Sequence, residues 1–319
     1  LKEVTCLIDT MGFGISQAIG TGGRDLKEEV GAVTMFQALD YLLDDPDTKI
    51  VVLISKPPAK TVAEKIIAKL SEATKPVVLC FIGYELENPP AGVTVAATLE
   101  EAALKAVALA GKAPAFLSDE TVMEQWRRQA QGQFSSKQKY VRALYAGGTL
   151  CYETMLILSR QLGAVYSNIP LAKELAISDV LQPGQHSAID LGDDEFTKGR
   201  PHPMIDGTLR NEYIAKVAAD PETAVLLLDV VIGFGAAADP AGELIPVIEE
   251  ARASAKAQGN NLAIVAYVCG TDLDEQNKQE QIKKLQAAGV FVTKSNAEAA
   301  RLVASTVKGL GAGDNGRKE

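Results

Sequence analysis

The sequence predicts an α/β protein made of two tandem, doubly wound, flavodoxin-like parallel-sheet domains. Three observations carry that expectation. Short, continuous aliphatic runs such as Ile50-Val51-Val52-Leu53-Ile54 and Val225-Leu226-Leu227-Leu228 alternate with longer amphipathic segments. Uninterrupted aliphatic runs mark strands covered on both faces, and helical crossovers between them make the sheet parallel. Aromatic residues are only 5% of the chain, while hydrophobic residues are 47%. Finally, the pattern occurs twice.

The repeat is anchored by Asp45-Pro46-Asp47-Thr48 and Asp220-Pro221-Glu222-Thr223, 175 residues apart. Each copy is followed by an aliphatic strand. An amphipathic helix comes next, at 61–73 and 242–258. A second buried strand follows, Pro76-Val77-Val78-Leu79-Cys80 or Leu262-Ala263-Ile264-Val265-Ala266. Then come Ala91-Gly92-Val93 and Ala288-Gly289-Val290, and a last helix rich in Ala and Glu, 98–110 and 296–306. Upstream, Ile15-Ser16-Gln17-Ala18-Ile19 matches Gln185-His186-Ser187-Ala188-Ile189 as a strand before a loop. Leu1, Val4, Leu7, Ile8 and Met11 recur at helical spacing with no cap before them, so the chain is expected to open inside a helix. The expected domains are 1–112 and 140–308. The segment 113–139 is read as a connection with a polar helix from Asp119 to Gln131, anchored by Trp126. Residues 309–319 are read as a flexible, Gly-rich tail.

Composition narrows the function. Among 319 residues the net charge is −9, with no Lys/Arg stripe, which argues against nucleic-acid binding. No apolar run reaches the length of about 18 residues that a membrane span needs. Cys6, Cys80, Cys151 and Cys269 form no CxxC pair, as expected of reduced thiols in a cytoplasmic protein. Two histidines, His186 and His202, are too few for a His-rich metal site.

In open parallel sheets ligands bind beyond the carboxyl ends of the strands. Candidate binding residues therefore lie in loops after strands. Gly20-Thr21-Gly22-Gly23-Arg24-Asp25 offers Gly22 and Gly23 for close approach of an anion and Arg24 for a bidentate clamp. Gly147, Gly148 and Thr149 open the second copy in the same style. Gly233 and Gly235 follow its second strand, and Gly270, Thr271 and Asp272 close its third. The polar loop Gly192 to Asp206 carries Arg200 and His202, the latter between Pro201 and Pro203. An imidazole so held suits a nucleophile, general base or phosphoryl carrier. Asp229, at a strand end, suits acid–base or metal work, and the loop carboxylates can hold Mg²⁺ through water. His186 reads as structural.

These residues resemble the succinyl-CoA synthetase (succinate–CoA ligase) superfamily, and within it FdrA-like acyl-CoA synthetases. The Gly20–Asp25 loop and Asp45–Thr48 are similar to the α-subunit ligase domain. Asp190-Leu191-Gly192, Asp220–Thr223, Gly233-Phe234-Gly235 and Gly270-Thr271-Asp272 are similar to the β-subunit one. Tyr145–Leu150 and Gly199–Asp206 resemble FdrA-like proteins in particular. The resemblance implies two succinyl-CoA synthetase-like domains lacking the N-terminal CoA-binding domain. CoA would then be contacted mostly by residues outside this chain, with Mg²⁺ as a companion of phosphate. It implies a small carboxylic acid and a phosphate-bearing substrate, and a homo-oligomer or partner enzyme subunits.

Three departures from the family stand out. No His occupies Ile82 to Pro90, where the ligases carry a phosphohistidine. Ser55-Lys56-Pro57-Pro58 replaces a Gly-rich loop, and no ATP-grasp domain is recognisable. His202, Arg200 and Asp229 are then the candidate catalytic residues. The expected activity is acid–thiol ligation with CoA. The alternatives are a carbamoyltransferase acting on carbamoyl phosphate and oxamate in purine and allantoin breakdown, or a non-catalytic regulatory or scaffold subunit.

Overall fold

The structure, a computed structural model, describes residues 1–113, 118–177, 179–180 and 184–310. The chain divides into two compact units, Leu1–Phe116 and Leu117–Glu319.

Unit 1 runs α1 (Lys2–Thr10), α2 (Val33–Asp44), β1 (Val51–Ser55), α3 (Lys60–Leu70), β2 (Val77–Phe81), β3 (Val93–Val95) and α4 (Leu99–Leu109). Its three strands are parallel, in the order β1-β2-β3. Val51, Leu53, Val77, Leu79 and Phe81 of the sheet pack with Leu39 of α2 and Val62 and Ile66 of α3.

Unit 2 runs α5 (Glu120–Gln131), β4 (Tyr140–Tyr145), α6 (Gly148–Leu162), β5 (Ser187–Asp190), α7 (Asp194–Thr197), α8 (Thr208–Ala219), β6 (Thr223–Val231), α9 (Pro240–Ala257), β7 (Ala263–Cys269), α10 (Lys278–Ala287), β8 (Phe291–Thr293) and α11 (Asn296–Val307). Its five strands are all parallel, in the order β5-β4-β6-β7-β8. Renumbered within the unit this is 2-1-3-4-5, the flavodoxin-like order, and it puts the topological switch point between β4 and β6. Every β4 residue after Tyr140, and every β6 residue before Val231, is buried, as expected of a sheet covered on both faces.

The likeness between the two units reaches atomic detail. Asp45 Oδ1 accepts from Asp47 N at 3.2 Å, and Asp220 Oδ1 accepts from Glu222 N at 3.0 Å. Thr98 caps α4 through Glu101 N at 3.1 Å, and Ser295 caps α11 through Glu298 N at 3.0 Å. In both copies the glutamate reaches back, Glu101 to Ala97 N and Glu298 to Lys294 N, completing a capping box. Gly92 and Gly289 both take positive φ, +80° and +75°.

Two expectations change. The connection 113–139 belongs to unit 2 from Leu117 onward. There α5 packs on α11, Trp126 stacks on Phe291 with centroids 5.0 Å apart, and Gln131 Nε2 donates to Thr306 O at 2.8 Å. A polar helix looks like a linker in sequence, yet one buried edge suffices to dock it. The second change is at Ile15–Ile19, which forms no strand and stays largely exposed. Residues 311–319, most of the expected tail, lie outside the described residues.

All four cysteines are buried. Among the described residues, no helix is long and apolar enough to cross a membrane.

His186 is structural. Its Nδ1 accepts from Val141 N at 3.1 Å, and burial, with Arg142 nearby, pushes its pKa down to about 4. An unfolded chain takes up this proton at the ordinary histidine value, whereas the folded chain refuses it until about pH 4. Stability is therefore lost as pH falls from 7 towards 4. Urea midpoints should drop less over that range in His186→Asn, whose Oδ1 keeps the acceptor, than in the parent. Equal pH slopes would refute the assignment.

Candidate active site at the carboxyl ends of β4, β5 and β6

The sheet of unit 2 brings three loops together at its switch point. β4 ends at Tyr145 and turns through Ala146 and Gly147 into α6. Gly147, the N-cap, has no side chain with which to close the helix end. Asp229, on β6, lies directly behind that turn and is fully buried. Its Oδ1 accepts from Ala146 N and its Oδ2 from Gly147 N, both at 2.8 Å. Arg210 of α8, also buried, donates through Nη1 to Asp229 O at 2.7 Å and lies 3.4 Å from Oδ1. Burial pushes the Asp229 carboxyl up and the Arg210 guanidinium down. Their attraction and the two N–H donors oppose that shift, since each donor needs an unprotonated oxygen.

Three glycines permit the close approach. A Cβ at Gly147 would lie 3.0 Å from Asp229 Oδ2, and one at Gly148 would collide with Asp190 Oδ2. A Cβ at Gly192 would lie 2.5 Å from both Ala146 O and His202 Nε2. The imidazole of His202 thus closes against the end of β4. Asp190, at the end of β5, accepts from Gly192 N at 3.0 Å. Its own backbone is clamped by Asn168, which donates to Asp190 O at 3.0 Å and accepts from Asp190 N at 2.9 Å.

His202 is half-buried, and its Nδ1 accepts from Met204 N at 3.2 Å. In the neutral ring the proton therefore sits on Nε2, the nitrogen beside Gly192. Burial lowers the pKa of His202 while Asp229 raises it, and the net shift is downward. Arg200 extends into solvent from the same loop and forms no ion pair among the described residues.

Several expected site residues fall elsewhere. The Gly20–Asp25 loop follows no strand, so it is not at a sheet end. Asp25 occupies the start of α2 itself, accepting from Thr34 N at 2.9 Å and Met35 N at 2.8 Å. Gly22 is required for its φ of +82°, but Gly23 faces open space and Arg24 is exposed. Gly233 N is taken by Gln276 Oε1 at 3.0 Å, and Asp239 caps α9 through Gly242 N at 3.2 Å. Gly235 has a φ of +79° and nothing near it, so it serves the turn. Thr271 N and Oγ1 both bond Asp274 Oδ2, at 2.7 and 3.3 Å, so that loop satisfies its own donors, and Asp272 points outward. Gly270 packs on Ile232. Thr149 stands half-exposed in the first turn of α6.

The sequence reading passed over Arg210. Its signal was a charged residue on the apolar stripe of α8, shared with Ile214 and Val217. Among the described residues, no three His, Cys, Asp or Glu side chains are placed to hold a metal ion. The loop acids do not converge, and Asp193 caps α7 through Glu195 N.

Two stability outcomes follow. Gly270→Ala forces a Cβ into Ile232 and should cost about 1–3 kcal/mol in urea unfolding, whereas Gly23→Ala should be near neutral. Arg210→Leu leaves Asp229 buried without its counter-charge and should cost about 3 kcal/mol. The same midpoints measure both, and an unchanged Arg210→Leu midpoint would refute the pairing.

Comparison with known proteins completes the picture. Residues 144–306, just over half the chain, match the CoA-ligase family, and residues 2–83 match the CoA binding domain. The second match overturns the expectation that a CoA-binding domain is lacking and that unit 1 is a second ligase domain. Both domain types alternate aliphatic strands with helices, so the repeat pattern alone does not separate them. The uncharacterized protein YahF of Escherichia coli K12 is 43% identical over 296 residues, 92% of this chain and 58% of that protein. The chain thus spans little more than half of that curated relative. PH0766 from Pyrococcus horikoshii OT3 is 13% identical over 85% of this chain and 55% of that one, with a TM-score of 0.37. The apo dinucleotide-forming acetyl-coenzyme A synthetase 1 of Ca. Korarchaeum cryptofilum is 12% identical over 86% and 56%, with a TM-score of 0.34. Scores this low establish no shared geometry. The family matches link the chain to CoA, and on the extent of the first of them it belongs to the CoA-ligase family.

Proposed function

We propose that the chain is part of an FdrA-like acyl-CoA synthetase that joins a small carboxylic acid, as its acyl phosphate, to CoA. One observation carries this reading. At the switch point of unit 2, the glycine-built start of α6 is locked from behind by Asp229 and Arg210 and faced by the Nε2–H of His202. A helix N-terminus and a neutral imidazole donor together suit an anion that gains charge during reaction.

In the proposed step the CoA thiol attacks the acyl carbon. The carbon–oxygen bond to phosphate breaks, and phosphate leaves with its bonding pair. The thiol proton ends on phosphate or solvent. Gly148 and Thr149 border the leaving phosphate, and His202 donates a hydrogen bond to it. Asp229 and Arg210 act as positioning residues. His202 does not serve as phosphoryl carrier in this scheme, because its Nδ1 lone pair already accepts from Met204 and its Nε2 carries the proton. Mg²⁺, if used, arrives with phosphate rather than in a cage of side chains. Fully exposed Phe234 and Leu273, at the loops after β6 and β7, offer an apolar rim to the incoming thioester arm. Nucleotide handling falls to partner subunits or further polypeptide. The buried thiols agree with a reducing, cytoplasmic setting.

The test is thioester formation from CoA and acyl phosphates of two to five carbons, which bypasses any nucleotide site. The chain should accelerate it. His202→Ala should lose about a hundredfold in kcat/KM, and His202→Gln should recover part through its amide donor. With labelled ATP and Mg²⁺, no acid-labile phosphate should appear on His202. No acceleration with any of these donors would sink the ligase reading. Label lost only in His202→Ala would replace the donor role by phosphoryl transfer.

A further inference from the structure

His202 is joined to the loop after β6 by hydrogen bonds that end on one side chain of the loop after β7. His202 to Asp206 forms a closed turn, in which Ile205 N and Asp206 N both donate to His202 O, at 2.8 and 3.1 Å. Among the described residues, one backbone hydrogen bond ties that turn to a different loop, Ala237 N to Met204 O at 2.9 Å. Met204 is also the residue whose N–H donates to His202 Nδ1. Ala237 therefore supports, from outside the turn, the residue that selects which ring nitrogen is protonated.

Gln276, a buried residue just before α10, holds Ala237 in turn. Its Nε2 donates to Ala237 O at 3.0 Å and to Gly233 O at 3.1 Å, and its Oε1 accepts from Gly233 N at 3.0 Å. Both amide hydrogens and the amide oxygen are thus committed to one loop. A reversed amide would set two donors against each other at Gly233 N. The loop has little apolar hold of its own, since Phe234 is fully exposed and Gly235 has nothing near it. The backbone of Gln276 is fixed as well. Gln281 Nε2 donates to Gln276 O at 3.1 Å. Asn277, next in the chain, takes a φ of +53°, which non-glycine residues seldom adopt. Its side chain spans that corner, accepting from Glu280 N at 3.1 Å and donating to Asp272 O at 2.9 Å. A strained corner persists where its surroundings over-determine it, and this one gives Gln276 a rigid base.

We infer that Gln276 is a positioning residue for His202. It pins Gly233 and Ala237, Ala237 pins Met204, and Met204 presents its N–H to Nδ1, which leaves the proton on Nε2. A neutral imidazole that accepts at one nitrogen carries its proton on the other. Without the Gln276 amide the loop loses its bonds at Gly233 N, Gly233 O and Ala237 O, and Met204 is free to turn its N–H away. The ring then loses the contact that selects its tautomer, and the donor beside Gly192 is lost in part. That this donor acts in turnover rests on the acyl-phosphate reading above, whereas the choice of tautomer does not.

Nitrogen NMR of the imidazole rings reads the tautomer directly, and only two histidines contribute. In the parent chain, above the pH of ring protonation, His202 should show Nε2 protonated and Nδ1 bare. Gln276→Met keeps the volume, and Gln276→Glu sets a carboxylate against two carbonyls. Each should lower the ratio of Nε2–H to Nδ1–H about fivefold, as the loss of one neutral hydrogen bond predicts. His186, whose Nδ1 accepts from Val141 N, should keep its signals and so report a folded chain. In thioester formation from acyl phosphate, kcat should fall while KM stays near the parent value. An unchanged His202 tautomer in the folded variants overturns the proposal, because Gln276 then only staples a loop. So does a parent ring protonated at Nδ1, a result that needs no variant. Should both variants unfold, Ala237→Pro removes the one N–H that reaches Met204, and an unchanged tautomer there overturns the proposal equally. A shifted tautomer in variants of a parent chain that forms no thioester would uphold the role of Gln276 and remove the ligase reading instead.

Discussion

Asp229 is the point on which the candidate site of unit 2 hangs. A carboxylate with no exposure is tolerable only when its oxygens are engaged by donors and its charge is met. Here the donors are the N–H groups of Ala146 and Gly147, and the counter-charge is Arg210. The pairing works in both directions. It opposes the upward push that burial gives the Asp229 carboxyl, and it fixes the path of the chain between β4 and α6 to within a hydrogen bond. Gly147 and Gly148 are small because Asp229 and Asp190 stand where side chains would be. Gly192 is small because His202 closes over it. The glycines at this site thus make room for protein acids and an imidazole as much as for a ligand.

The two copies of the ladder show what that device adds. They share strand order, the Asx turn before the first strand, the positive-φ glycine before the third, and the capping box of the last helix. At the position of Asp229, however, unit 1 has Ile54. Its Gly-rich loop is closed by Asp25, which satisfies the start of α2 from within. The two units share these local features, while the charged pivot is described in one.

Much of the fold was readable before any coordinates. Aliphatic runs located β1, β2, β6 and β7 because strands covered on both faces tolerate little else. The Asp-Pro landmarks gave the repeat because an Asx turn constrains residue type tightly. Trp126 was recognisable as an anchor, and His186 as structural. The site was less legible. Gly147, Gly148, Asp229 and His202 do meet, whereas Gly22, Gly23, Arg24, Thr271 and Asp272 are turns that satisfy themselves or stand in solvent, and Gly270 packs on Ile232. In sequence the two kinds look alike, since a glycine needed for φ and one needed for close approach are the same letter. Arg210 went unnoticed because its partner lies 19 residues away on another element.

The sequence by itself determined that this is a parallel α/β chain with buried thiols and no long apolar span, since those properties depend on local residue type and periodicity. Only the tertiary structure decided which loops converge. Strand order places β4 beside β6, and that adjacency, formed between segments about 80 residues apart, brings Asp229 behind Gly147 and sets His202 before it. It also decided which nitrogen of His202 carries the proton, because the backbone N–H of Met204 points at the other one. Such facts reside in distances between non-neighbouring atoms, and no local pattern of residues encodes them.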